Sequence, residues 1–471
     1  MKTLPFPELK ADRSQRRFDI RALIAAREGE RYSLNAKHLN EMMVRVFQTI
    51  GRGVGQYLYD RHGARYLDLL SGWGVFGIGR NHPLLRETLN GVLAADLPNL
   101  AQMDASLLAG LLAERLLGFT HWLDKVFFAN SGTEAVEAAV KFARRATGRP
   151  EIVYCSDAFH GLTYGALSMN GDAVFKEGFE PLAPGFTEIP FNDPAALERA
   201  LAAGRAAAFI VEPIQGKGVN MPDESYLADA ARLCRKYGAL FIADEIQTGM
   251  GRTGRFLAVE HGDVEPDMVL LSKALSGGHA PVGAVLTRKH IFDKVFDRMD
   301  RAVVHGSTFA RNDLAMAAGL ATLEVMESER LIANAARTGA RLLKSFEAMA
   351  QRYQLVKAVR GRGLMIGVEF GNPQSLKLKA AWSLVEAVNA GLFCQLITIP
   401  LFKEHNILVQ VAGHANHTIK LLPALVIDES DCGWIERAFD AVIADSHRVP
   451  GAVWSLGRTL ADHALKARAS K

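Results

Sequence analysis

Cysteine is scarce: the 471 residues hold four, Cys155, Cys234, Cys394 and Cys432, far apart and without a CxxC spacing. They read as free thiols in a reducing compartment, and the cytoplasm is the expected location. An excess of charge is missing too. The formal net charge is +4, which is compatible with acidic or phosphorylated ligands but gives no basic footprint for nucleic acid. No uninterrupted apolar run reaches the length of a transmembrane helix. The stretch Met1 to Arg17 is charged and has no apolar h-region, so a secretory signal is not expected. Repeats and low-complexity tracts are absent.

What is present is ordinary for a soluble globular chain of two domains: 49% hydrophobic and 23% charged residues. The 42 glycines suit the tight backbone approaches of α/β enzymes. Leu39, Met42, Met43 and Val46 fall at helical spacing within 33–50. Tyr57 to Asp68 reads as a hairpin turning near Gly63. From about 100 to 330, short apolar runs alternate with helical stretches such as Tyr226–Tyr237. The runs include Val126–Phe128, Ile152–Tyr154, Ala208–Val211, Leu240–Ala243 and Met268–Leu271. That alternation predicts a mostly parallel sheet covered by helices. A long helix over about 328–352 then leads into an α+β part with strands at Leu364–Phe370, Asn406–Val411 and Thr418–Leu422.

Parallel sheets bind ligands at the carboxyl ends of their strands. Glu212, Asp244 and Lys273 each stand at or just past the end of such a run. A carboxylate there is costly unless a cation meets it. For Asp244 that cation is either a protonated pyridine nitrogen or an internal Arg or Lys. Lys273, directly after an apolar strand, is either a desolvated amine for Schiff-base chemistry or a solvated loop lysine. In Asn130-Ser-Gly-Thr-Glu-Ala135, a small turn opens a helix. It reads equally as an anion cradle, with Ser131 and Thr133 adding hydroxyls, or as an ordinary cap in which Glu134 completes a capping box. His160, His279 and His305 fit no zinc spacing, and no metal is expected. Cys155 reads as a packed thiol.

With these elements in this order, the chain resembles the class III pyridoxal-phosphate aminotransferases of fold type I over roughly 35–445. The motifs are NSGTEA, FHG at Phe159–Gly161, VEPIQG at Val211–Gly216, DEIQTGMGRTG at Asp244–Gly254, SKALSGG around Lys273, and HGSTF at His305–Phe309. Asp68–Pro83 looks most like the putrescine and amine-transforming branch. The resemblance implies an α/β fold: a large domain with a mostly parallel, seven-stranded sheet, and a smaller α+β domain from both chain ends. The expected boundaries are 1–95 for an N-terminal segment contributing to the small domain, 96–330 for the cofactor-binding domain, and 331–471 for the C-terminal small domain with a terminal helix.

The cofactor it implies is pyridoxal 5'-phosphate (PLP). Lys273 would form the Schiff base and shuttle the proton, and Asp244 would pair with the pyridinium. Ser131, Gly132 and Thr133 would form the phosphate end. Phe159 and Ile246 would flank the ring, Gln247 would sit near its phenolic oxygen, and His160 and Glu212 complete the cofactor set. Thr308 would reach the neighbouring subunit's phosphate, so a homodimer with a shared site is implied. Gly72, Trp73, Gly74 and Val75 would shape the substrate pocket.

Three departures bear on substrate. Lys217 stands where the family commonly has Glu, Lys420 where it commonly has the Arg that grips an α-carboxylate, and Ala310-Arg311-Asn312-Asp313 where it has Gly-Gly-Asn-Pro. The expected reaction moves an amino group between an amine without an α-carboxylate, long or bulky ones included, and a keto acid such as pyruvate or 2-oxoglutarate. Lys420 is then the candidate for the keto acid's carboxylate, while Lys217 faces either the pocket or solvent. A decarboxylase or epimerase on the same scaffold, or an acetylornithine- or ornithine-like substrate, are the alternatives. The tail Pro450–Lys471 reads as a helix. Its face of Trp454, Leu460 and Ala464, flanked by Arg458, Lys466, Arg468 and Lys471, docks either on its own dimer or on a membrane surface.

Overall fold

The structure is a computed structural model that describes residues 19–39, 50–99, 105–388, 391–413, 417–451 and 453–454. The chain divides into two compact units, Met1–Gly51 and Arg52–Lys471. In the first, helices Ile20–Arg27 and Arg31–His38 follow one another, and Asp19 caps the former by accepting from the N–H groups of Arg21 and Ala22. Met42, Met43 and Val46 lie outside the described residues.

The second unit is organised by a seven-stranded sheet. Its strands are β1 (Lys125–Ala129), β2 (Glu151–Cys155), β3 (Phe186–Ile189), β4 (Ala206–Val211), β5 (Leu240–Asp244), β6 (Met268–Leu271) and β7 (Gly283–Thr287), in spatial order β1-β7-β6-β5-β4-β2-β3. Only β7 runs antiparallel to its neighbours. Alternate residues face opposite sides, as strand geometry requires. Phe209 and Val211 of β4, Phe241 and Ala243 of β5, and Val269 and Leu271 of β6 pack into one core. Ile210, Ile242, Met268 and Leu270 pack into the other. Both faces are therefore covered, and the strands read as unbroken apolar runs.

Two helices show how the sequence covers those faces. α1 (Gly132–Thr147) buries Ala135, Val136, Ala138, Ala139, Val140, Phe142 and Ala143, and α2 (Tyr226–Tyr237) buries Leu227, Ala230, Ala231 and Leu233. Small alanines on α1 let it lie close to the sheet. The expected long helix is α4 (Leu331–Arg352), preceded by α3 (Asp313–Ser328).

Beyond α4, strands β8 (Val356–Arg362), β9 (Met365–Phe370), β10 (Gln410–Ala412) and β11 (Thr418–Leu421) form an antiparallel sheet in the order β8-β9-β11-β10. The single strand expected at Asn406–Val411 is divided. Ile407–Leu408 pairs in parallel with Arg65–Asp68 of the N-terminal hairpin, and after Val409 the chain enters the other sheet at Gln410. Both ends of the second unit thus share a sheet, and Gln56 and Tyr57 donate side-chain hydrogen bonds to Asp431. Of the expected tail helix, Pro450, Gly451, Val453 and Trp454 are described. Trp454 is buried and donates from Nε1 to the Ser446 carbonyl at 2.8 Å. Arg458, Leu460, Ala464, Lys466, Arg468 and Lys471 lie outside the described residues.

Candidate active site

The carboxyl edge of β4, β5 and β6 forms the floor of a 680 Å³ cavity, a size usual for small-molecule sites. In-register parallel pairing sets Val211 beside Ala243 and Asp244 beside Leu270. The next residues along these strands bring Glu212, Asp244, Ser272 and Lys273 to the same opening. Lys273 has a φ of 37°, in the left-handed region where a non-glycine residue is strained. Burial pushes its amine pKa down, opposed by the charges of Asp244 and Glu212. A neutral fraction of amine is what a nucleophile or base needs.

Asp244 is 3% exposed. Its Oδ2 lies 2.7 Å from His160 Nδ1, and its Oδ1 accepts from the Ile246 N–H at 3.1 Å. His160 is itself buried. Burial opposes its charge, but the hydrogen bond and charge of Asp244 outweigh burial and raise its pKa. Glu212 accepts from the N–H groups of Phe159 (2.9 Å) and Gly216 (2.7 Å), while burial raises its pKa. It fastens the Phe159 loop to the end of β4. The Asp244–His160 pair, 84 residues apart in the chain, and the anchoring role of Glu212 carry no local sequence signal.

Gly132 and Thr133 open α1 at one side of the cavity. A first helical turn leaves its N–H groups without helical partners and favours an anion. The cap is made as well: Ser131 Oγ accepts from the Glu134 N–H at 3.3 Å. Glu134 reaches back to the Asn130 N–H at 2.8 Å, one residue beyond the Ser131 N–H that the expected capping box would use. Ser131 does not line the cavity. Thr133 Oγ1 meets Thr163 Oγ1 at 2.6 Å. Gly161, with φ of 123°, crosses so close that a Cβ there would stand 2.4 Å from Thr133 Oγ1.

Phe159 and Ile246 both line the cavity, and the Phe159 ring is held edge-on by Phe175, centroids 5.4 Å apart. Gly72, Trp73 and Val75 form one rim. Gly74 does not reach it, because Ser71, Gly72, Trp73 and Gly74 are four successive residues with positive φ and the tight turn points Gly74 away. Asp68 holds that turn by accepting from the N–H groups of Leu70 and Ser71, each at 2.9 Å.

The opposite wall is Gln410, Val411, Ala412, Gly413 and Lys420 from the second sheet. Lys420 is 4% exposed. Its Nζ donates to the Gly216 carbonyl at 2.7 Å and to Gln247 Oε1 at 3.2 Å. Gln247 Nε2 donates in turn to the Trp73 carbonyl at 3.2 Å, so Gln247 ties the strained turn to Lys420. Burial, then the charge of Lys273, pushes the Lys420 pKa down to about 7. Lys217 also lines the cavity, but its ammonium is paired with Asp172 and lies 5.1 Å from the Phe175 ring centroid. Of the two readings of Lys217, the structure turns it to the cavity, where Asp172 neutralises its charge. Gln410 was not among the residues expected to form the site.

Thr308 is exposed and does not line the cavity of its own chain. The three histidines lie apart: His160 on Asp244, His279 near Asn81, His305 on Lys141. The four thiols are buried and free, and burial pushes Cys155 up to about 12.

The donor set fits PLP. A helix start suits its phosphate, a buried carboxylate its ring nitrogen, two apolar side chains its faces, and a desolvated lysine its aldehyde. The class-III aminotransferase family model matches residues 39–443. The chain is 33% identical over 464 residues to aminotransferase PigE of Serratia sp. (strain ATCC 39006), covering 90% of this chain and 54% of that protein. It thus spans about half the length of that curated relative. Ornithine aminotransferase from Toxoplasma gondii ME49 matches with a TM-score of 0.80 at 29% identity, over 91% of this chain and 99% of that one. A PLP-bound amine transaminase from an uncultivated Pseudomonas species matches at 0.73 and 29%, over 84% and 95%. The chain belongs to the class-III aminotransferase family, whose cofactor is pyridoxal 5'-phosphate.

Proposed function

We propose that this enzyme transfers an amino group from an amine lacking an α-carboxylate, long or bulky amines included, to a keto acid such as pyruvate or 2-oxoglutarate. The reading places it functionally with the amine-transforming transaminases rather than with those specific for ornithine. The observation that carries it is Lys420, a lone ammonium buried in the wall of the cavity where relatives commonly present a guanidinium. An ammonium is a point charge without the bidentate fork that grips a carboxylate. The rim of Trp73 and Val75 with Leu162, Phe175 and Val411 offers apolar surface to a large amine.

The residues divide the work. The bound cofactor supplies a carbonyl that takes up the amine and a ring that accepts the electrons of the broken C–H bond. Lys273 Nζ would take the proton from the amine's α-carbon and carry it across the nitrogen to the former carbonyl carbon. Asp244, held by His160 and the Ile246 N–H, keeps a negative charge at the cavity floor and so favours a cationic ring nitrogen. The α1 start anchors the anionic end, and Lys420 takes the acceptor's carboxylate.

The site works as a homodimer in this reading. Thr308 stands outside its own cavity, next in sequence to Phe309, which is 71% exposed, and Val303 on the same segment is 83% exposed; a second copy would cover this surface. The buried, free thiols support a reducing compartment such as the cytoplasm. A donor and acceptor panel tests the substrate reading. Expected are a carbonyl product without carbon dioxide, and faster turnover of long monoamines than of ornithine. Preferential use of ornithine or acetylornithine would overturn the substrate assignment, and an active monomer in sedimentation would overturn the dimer.

A further inference from the structure

We propose that Gln410 is the second donor of the acceptor site, so that the keto acid's carboxylate is held between the Gln410 amide and the Lys420 ammonium. The inference rests on the functional reading above and names the residue that completes it.

Three observations point to Gln410. It lines the cavity. It is the direct cross-strand partner of Lys420 in the β10–β11 pair, so the two side chains leave the same face of the sheet with their Cβ atoms about 5 Å apart. Its Nε2 is buried and has no hydrogen-bond partner among the described residues. Buried amide donors are nearly always paired, and one that is unpaired beside a cavity is available to a ligand. On the other side of Lys420 the cross-strand partner is Gly367, which brings no side chain and leaves Gln410 as the neighbour in register.

The hydrogen bonds of Lys420 supply the need for a second donor. Two of its three N–H groups are directed at the Gly216 carbonyl and Gln247 Oε1, leaving one. A guanidinium offers a carboxylate two parallel donors on one group. Here one ammonium N–H and one amide N–H from adjacent strands restore that pair. Gln410 would thus be a specificity-determining residue for the acceptor. The neutral amide adds no charge beside Lys273 or Arg252, both of which already disfavour the charged form of Lys420.

The test uses PLP-loaded protein and two probes, pyruvate and 2-oxoglutarate, whose non-productive binding is read by calorimetry at pH 6.5. Gln410→Leu should weaken the keto acid that wild type binds by about tenfold or more, the usual cost of losing a hydrogen bond to a charged group. Gln410→Glu, isosteric but acidic, should weaken it further, and it replaces Gln410→Leu as the deciding variant if the latter fails to load cofactor. With butanal, which has no carboxylate, the rise in acceptor KM should be far smaller than with the keto acid. Unchanged keto acid affinity in the deciding variant, or an equal penalty on butanal, would overturn the role of Gln410. If wild type bound neither keto acid, both the functional reading and this inference would fall.

Discussion

Asp244, Glu212 and Lys273 stand on the carboxyl edge of a sheet buried on both faces, whereas Lys420 and Gln410 stand on a short antiparallel pair whose outer strand is three residues long. The floor is held by continuous strands and by bonds between its own members: Asp244 to His160, and Glu212 to the Phe159 and Gly216 N–H groups. The wall's charged side chain is held by single bonds from Lys420 to a loop carbonyl and to Gln247. Under the proposed function, reaction class and substrate choice reside in different parts of the cavity. The floor tolerates little change because its buried charges depend on one another. The wall can exchange one donor set for another with the fold intact.

The sharpest way to break this division is at the floor. Asp244→Asn, which keeps the size of the side chain, should leave the fold intact. Losing a charge that stabilises a buried cation costs about 2–5 kcal/mol, so kcat should fall roughly thirtyfold to several thousandfold. Near-normal turnover would remove Asp244 from its role. A middle effect is expected at the wall, from pH. Burial and the neighbouring Lys273 and Arg252, opposed by Glu212, hold Lys420 at about 7. Its ammonium is present below that pH and lost above it, so keto acid affinity should fall as pH rises through about 7. Lys420→Met should flatten that profile, and a pH dependence that survives the change would contradict the assignment. The smallest effect is expected at Lys217. Its charge is already met by Asp172, the two side chains 23% and 20% exposed, and ion pairs near the surface contribute about 0–1 kcal/mol. Lys217→Met should therefore shift donor preference by no more than about fivefold; a larger reversal of preference would give Lys217 a part in specificity.

The same division explains what was legible in the sequence. The floor was readable because an apolar run that stops at Glu212, Asp244 or Lys273 marks both the strand and its functional end. Strand β3, Phe-Thr-Glu-Ile at the sheet's edge, was not read, because an edge strand with one polar face lacks that signature. The wall was only half readable. Asn406–Val411 is one apolar run to the eye, yet it serves two sheets, and the switch after Val409 that delivers Gln410 to the cavity is made by tertiary pairing. Lys217 could be seen to depart from the family pattern. Its neutralisation by Asp172, 45 residues earlier, could not be seen, because ion pairs between distant loops leave no periodicity.

The most direct test of the account is the location of the reactive amine. PLP-loaded protein reduced with borohydride should lose its visible band, and peptide mass spectrometry should find the cofactor's mass on Lys273. Lys420 is the informative competitor, since it too is a buried amine of lowered pKa in the same cavity. Label on Lys273 alone is the predicted result. Label on Lys420, or on neither lysine after loading, would contradict the account.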